Sequence, residues 1–267
     1  MIHSVSIGGS VIGGQGDYSG YITDAQTIQS VVIGGDLIGG SYGGSSTLSY
    51  TGAISSTAGT GIGSVKIGGN IFSGSNSGSG TLTNSGSITS AAAIGSVAVG
   101  GGLFGNSTQP VLISAVGQAT KPASGADIAI GSVTVGGNAV YANILAGFSA
   151  AGANTNADAS IASVIVKGNL QASNIVAGAQ QANPPYWGVG DTLPTSNNSG
   201  TLIADIGSVT VGGLIIGSPD SGPTFGIVAQ QINAIKVGGI ALSLNSGASN
   251  DNFVIPGTGD TYVEEVS

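Results

Sequence analysis

At 267 residues the chain is long enough for one elongated domain or two small globular ones. Its 50 glycines, 40% hydrophobic share and 6% charged residues exclude a simply disordered chain, which needs low hydrophobicity and high net charge. Four lysines (Lys66, Lys121, Lys167, Lys236), no arginine and twelve acidic residues set the net charge at −8, so the basic footprint required by nucleic acid or by an anionic membrane surface is missing. Cysteine is absent, which removes disulfides and thiolate sites from consideration.

The opening Met1-Ile2-His3-Ser4-Val5 has neither the basic nor the apolar region of a secretory signal, so an exported protein would use another route or be a portion of something larger. No window approaches the roughly 18 uninterrupted apolar residues of a membrane-spanning helix. Repetition begins at once. A unit I-x-S-V-x-V-G-G-x, with Ile allowed for the second Val, starts at Ile2, Ile28, Ile62, Ile94, Ile130, Ile161, Ile206 and Ile232. Its clearest copies are Ile130-Gly131-Ser132-Val133-Thr134-Val135-Gly136-Gly137 and Ile206-Gly207-Ser208-Val209-Thr210-Val211-Gly212-Gly213. Successive starts lie 26, 34, 32, 36, 31, 45 and 26 residues apart, so a fixed strand is carried by return paths of variable length.

Within the unit, Val5 and Ile7 and their counterparts alternate with Ser6, Val32, Lys66, Ala98, Thr134, Ile165, Thr210 and Lys236. This period of two predicts a strand with one face buried, and the lysines mark its outward side. After the paired glycines comes a second apolar stretch, as in Leu37-Ile38, Ile71-Phe72 and Leu103-Phe104, and often a third, as in Ile144-Leu145-Ala146 and Ile227-Val228-Ala229. Two or three short strands bent at glycines form one coil of a β-helix, and stacked coils bury a continuous apolar column. The residue after the glycines runs Ser10, Asp36, Asn70, Gly102, Asn138, Asn169 and then Leu214 and Ile240, so left-handed backbone and an amide ladder are expected in the first six coils and a different bend in the last two. The column Ser4, Ser30, Ser64, Ser96, Ser132, Ser163, Ser208 reads as ladder hydroxyls, since a nucleophile has no reason to recur in each coil.

The fold class is therefore all-β, a single-stranded parallel β-helix (β-solenoid) of about eight coils over residues 1–244. An insertion falls near 179–203, and a C-terminal hairpin or capping and docking strand occupies 245–267. A β-sandwich or propeller also uses many short strands, but a propeller is disfavoured by a single tryptophan and by the repeat lengths. The I-G-S-V-x-V-G-G-N pattern resembles the glycine-rich right-handed β-helix repeats of bacterial surface and extracellular-matrix proteins, including autotransporter and haemagglutinin-like passengers and fibre-forming solenoids. That resemblance implies a right-handed solenoid, an extracellular or cell-surface location, and a structural or adhesive role.

Chemistry is sparse. The aspartates fall mostly in variable loops, where a solvated turn residue is expected, and only Glu264 and Glu265 adjoin. Neighbours in a strand face opposite ways, so they do not form the carboxylate pair of a glycoside hydrolase. A lyase acting on uronate would want arginine, which the chain lacks, so a polysaccharide lyase or hydrolase is the least favoured reading and no enzyme is expected. His3 is the sole histidine, and no cofactor is expected. Gly13-Gly14-Gln15-Gly16-Asp17 is the stretch that suggests calcium, as an imperfect copy of a calcium-binding nonapeptide whose aspartate comes one residue early and which has no tandem copy.

Two places remain. Tyr186 and Trp187, within Asn183-Pro184-Pro185-Tyr186-Trp187-Gly188, form either an exposed platform for a glycan or partner, or a flap over the solenoid flank. At the ends, Ile2, Val5 and Ile7 open the first coil without a cap. Phe253, Val254, Ile255, Tyr262 and Val263 form a hairpin that caps its own chain or docks on another. The function expected is a structural protein stacking head to tail on copies of itself into a fibre, surface layer or matrix. Eight coils would give a rise of about 38 Å per subunit at the β spacing of about 4.8 Å. The alternative is an adhesin fragment whose loops bind polysaccharide or a cell surface.

Overall fold

The computed structural model describes residues 1–267, which form twenty-nine short strands and no helix. Most strands stack in three parallel faces, with one strand per face in a regular coil; Thr47–Ser49 and Thr81–Thr83 of coils 2 and 3 pair separately, and coil 8 has no strand on the second face. The first face holds the repeat unit, from Val5–Ile7 through Gly61–Ile67, Ala93–Val99 and Asp127–Val135 to Ile235–Val237. Ile2, Ile28, Ile62, Ile94, Ile130, Ile161, Ile206 and Ile232 are paired coil to coil, so the eight starts read from the sequence are the eight coils of the fold. The second face is a stack of two-residue strands such as Leu37–Ile38 and Leu103–Phe104, and the third contains Ala53–Ser56, Ser87–Ser90, Ala142–Ala146 and Thr261–Glu265.

The alternation sorts as expected. In coil 3, Val65 and Ile67 are buried while Lys66 between them is exposed, stacked outside between Val32 and Ala98 of the neighbouring coils. The strand is bent, because Gly63 and Ser64 both lie outside the core between Ile62 and Val65. In coils 7 and 8 the bend becomes a break, with Asp205–Ile206 separate from Val209–Val211. Of the serine column expected to form a hydroxyl ladder, only one pair is bonded, Ser64 donating to Ser30 at 3.3 Å. Inside, 42 buried residues form one continuous apolar column, each large member worth about 1.5–3 kcal/mol of burial.

The column after the paired glycines works differently from expectation. None of its residues has positive φ. Instead, each polar side chain reaches to the next coil and accepts a hydrogen bond from the backbone N–H at the same corner. Asp36 accepts from Asn70 at 2.6 Å, Asn70 from Gly102 at 2.9 Å, Asn138 from Asn169 at 2.8 Å and Asn169 from Leu214 at 2.9 Å. The side-chain oxygen satisfies a backbone donor that leaves the strand ladder at the turn, a need that Asn and Asp meet and Leu does not.

In coil 8 the same Val-Gly-Gly sequence has another outcome. Gly238 and Gly239 take φ of 56° and 86°, the two-residue hairpin geometry that glycine pairs favour, and Ile240–Ala241 runs back antiparallel to Ile235–Val237. A second reversal follows, with Asn252–Val254 antiparallel to Thr261–Glu265, which is itself the eighth rung of the third face. Leu242, Leu244, Phe253 and Ile255 pack over the end of the core.

Candidate functional site

The outward column of the third face explains the fate of the insertion. From coil 1 it reads Thr23, Ser55, Thr89, Ser114 and then changes to Leu145, Val176 and Val228 before ending in Glu264. Three stacked aliphatic side chains on the outside of a sheet need a cover. They receive it from Phe148 and Trp187, whose rings meet edge to face at 5.7 Å and 80°, forming a second small core with Ala179 and Val266. Trp187 is only 3% exposed, so the exposed-platform reading of this residue is corrected: it is the inner side of a flap. Tyr186 beside it stays half-buried at the flap surface.

Burial overtakes several aspartates expected to be solvated turn residues, and takes in the strand neighbours Glu264 and Glu265 as well. Asp127, Asp158, Asp191, Asp251, Glu264 and Glu265 are all buried, and each accepts hydrogen bonds, some within a loop and some tying a loop to the coils. Asp158 pairs with Lys121 at 2.6 Å and accepts from the Ser199 N–H at 3.0 Å. Asp127 accepts from the Gln118 N–H at 2.8 Å and from the Asn156 amide at 2.8 Å. Glu265 accepts from the Ile232 and Asn250 N–H groups at 2.7 and 2.9 Å, supplying acceptors at the last coil. Asp191 accepts from Gly188 and Ala182 inside the flap, while Glu264 accepts from Gly190 at 2.8 Å, so this pair latches the flap to the final rung.

Burial pushes the Asp191 carboxyl above its ordinary 3.8, and burial, followed by the charge of Asp191, pushes Glu264 above its ordinary 4.5. A carboxyl raised on folding binds more protons folded than unfolded. The latch is therefore most favourable below the ordinary values and loses stabilisation as pH rises through the raised ones. Glu264→Gln keeps an oxygen for the Gly190 N–H and removes one charge. Thermal unfolding of this variant is expected to give a midpoint at about pH 7 equal to or above that of the parent, with a smaller decline from about pH 4. A decline as large as the parent's would show that the pair does not set it.

No group of three or more His, Asp or Glu side chains comes together. In the glycine-rich Gly13–Asp17 stretch, Asp17 accepts from the Ser49 N–H of the neighbouring coil at 2.7 Å. His3 is exposed on coil 1.

The two ends differ. At the coil-1 end, Ile2, Val5 and Ile7 pack against the core but remain only partly buried, and three strand edges carry no outer neighbour. At the coil-8 end, Val263 and Ile255 lie inside the core at 0% and 5% exposure, so they are not free to dock. Phe253 and Tyr262 are half-buried, and Val254 is 40% exposed on the outermost strand. Ile240, on the other reversed strand, is 71% exposed.

The fold defines the class: this is a parallel β-solenoid repeat protein of eight coils. In comparison with known proteins, the chain matches no family model, no curated protein and no solved structure.

Proposed function

We propose that the protein is a structural solenoid of a cell surface or extracellular matrix, and that it assembles end to end with copies of itself. The observation carrying this reading is the incomplete burial of coil 1. Val31 and Ile33, the register partners of Val5 and Ile7, are 0% exposed because a coil lies on each side of them. Val5 and Ile7 have a coil on one side only. A further β layer would complete their burial and pair their open edges.

A second copy supplies such a layer at its coil-8 end, where Ile240–Ala241 and Asn252–Val254 present free outer edges bearing Ile240 and Val254. Because both of those strands are reversed, the joint would be antiparallel on two faces. The reversed strands add a ninth layer, so the axial repeat becomes about 43 Å, longer than eight coils alone would give. A heterologous contact of this kind does not close.

Light scattering over a range of concentrations and electron microscopy of the isolated protein provide the test. Filaments with a repeat near 43 Å are expected, and they should vanish in a Val5→Lys/Ile7→Lys double variant whose circular dichroism is unchanged. Monomers at high concentration, or a closed dimer that grows no further, would sink the reading.

A further inference from the structure

Five of the seven tyrosines, Tyr18, Tyr21, Tyr50, Tyr141 and Tyr186, stand on one flank, along the corner where the second face turns into the third. Three of them are strained. Tyr18, Tyr50 and Tyr141 hold φ of 58°, 54° and 47°, in the left-handed region where a bulky side chain is rare. Glycine would take this corner at lower cost, and the chain has 50 of them. Tyrosine at three turns of the same corner therefore points to a use for the ring. Tyr18 is 60% exposed and stacks on Tyr50 at 5.8 Å and 11°, with Tyr21 tilted against both by 39° and 42°, so the three rings begin an aromatic strip.

The strip leads into two adjoining open cavities of about 550 and 630 Å³, which share Pro110, Asn143 and Pro185. Tyr50 lines the first, and Tyr141 and Tyr186 line the second. Between the rings stand side-chain amides. Asn84 and Gln109 lie on successive coils, each three residues ahead of the paired positions Ser87 and Leu112. Asn143 accepts from Asn174 through its oxygen, which leaves its own N–H donors to the groove. Of all the residues lining the two cavities, Asp220 alone is charged, and no lysine lines either. The groove runs from coil 2 to coil 7, five coil steps or about 24 Å.

We infer that this flank binds an extended, uncharged polysaccharide. Sugar rings offer apolar C–H faces that lie flat on aromatic rings and hydroxyls that both donate to and accept from amides, the two chemistries that alternate here. A uronate or sulfated polymer would find no cation and a protein of net charge −8. A proline-rich peptide would also suit aromatic rings, but its hydroxyl-poor surface would leave a row of amides without partners. The site uses the side of the solenoid and so stands independently of end-to-end assembly.

Affinity electrophoresis in gels containing hydroxyethyl cellulose, xyloglucan, galactomannan or dextran tests it, with alginate, pectate and a polyproline peptide as comparators. The Val5→Lys/Ile7→Lys background keeps assembly from altering mobility. Retardation by at least one neutral polymer is expected, with none by the anionic ones. Tyr50→Gly/Tyr141→Gly should weaken that retardation at least about tenfold while the thermal midpoint holds, since glycine suits the left-handed corner. Absence of retardation by every neutral polymer, equal retardation of the variant, or binding of the polyproline peptide alone would overturn the inference.

Discussion

Replacing Gly86 by valine is expected to cost about 4 kcal/mol or more, enough to disrupt coils 2 and 3. Gly86 is buried in the turn before the third face with φ of 62°, where a β-branched residue is a genuine outlier. A Cβ there would also run into the backbone carbonyl of Phe72, and that carbonyl belongs to the ladder, so it cannot swing away. The same turn holds a buried hydroxyl network. Thr51 donates to Ser85 at 2.9 Å, and the two hydroxyls accept from the Gly40 and Gly74 N–H groups at 2.9 and 3.1 Å. Movement of the turn would break these bonds as well. Gly16→Ala is the control, because a Cβ at Gly16 meets nothing within 4 Å. Urea titration of the two variants should separate them widely, and coincident midpoints would refute this account of the corner.

The second large effect is expected at Ile130. This residue is 0% exposed in coil 5, between Ile94 and Ile161, and Ile130→Ala should remove about 2–5 kcal/mol through lost burial and the cavity left behind. Rigid coils on both sides prevent collapse of the site, which favours the upper part of that range. Ile7→Ala makes the same kind of deletion in a half-covered coil and should cost less than half as much in dilute solution. Equal losses would mean that coil 1 is covered even in the monomer.

The solenoid was legible because its determinants are local and repeated. An inward Ile-Val-Val spacing, an outward column that accepts Lys66 and Lys236, and a glycine pair at the turn are all visible in one strand's worth of sequence. What escaped depends on neighbours. Ile240 in place of Asn or Asp marked a different bend after Gly238 and Gly239, but not that the chain would reverse there into a hairpin. The buried carboxylates follow no repeat, some in loops and some on strands such as Thr261–Glu265, and their hydrogen-bond donors lie up to 74 residues away, as for Gly190 and Glu264. The burial of Trp187 did leave a trace. Once the third face is aligned, its outward column changes from Thr and Ser to Leu145, Val176 and Val228 in the coils that the insertion covers. That change is invisible until the register is known, because the return loops vary in length. The ring stripe was hidden for the same reason, since Tyr18, Tyr50 and Tyr141 share a corner only after stacking.

The side-chain ladder at the glycine corner has a mechanical side. Its bonds, such as Asp36 to Asn70 and Asn138 to Asn169, run along the solenoid axis, as do the backbone bonds between coils. A tension applied between the chain ends would therefore load the coils in series, peeling them singly from an end. Each event would release between 26 and 45 residues of slack, the spacing of the repeat starts. The chain would behave as a stack of breakable links that lengthens in steps and absorbs work under strain, with step sizes written into the lengths of its return loops.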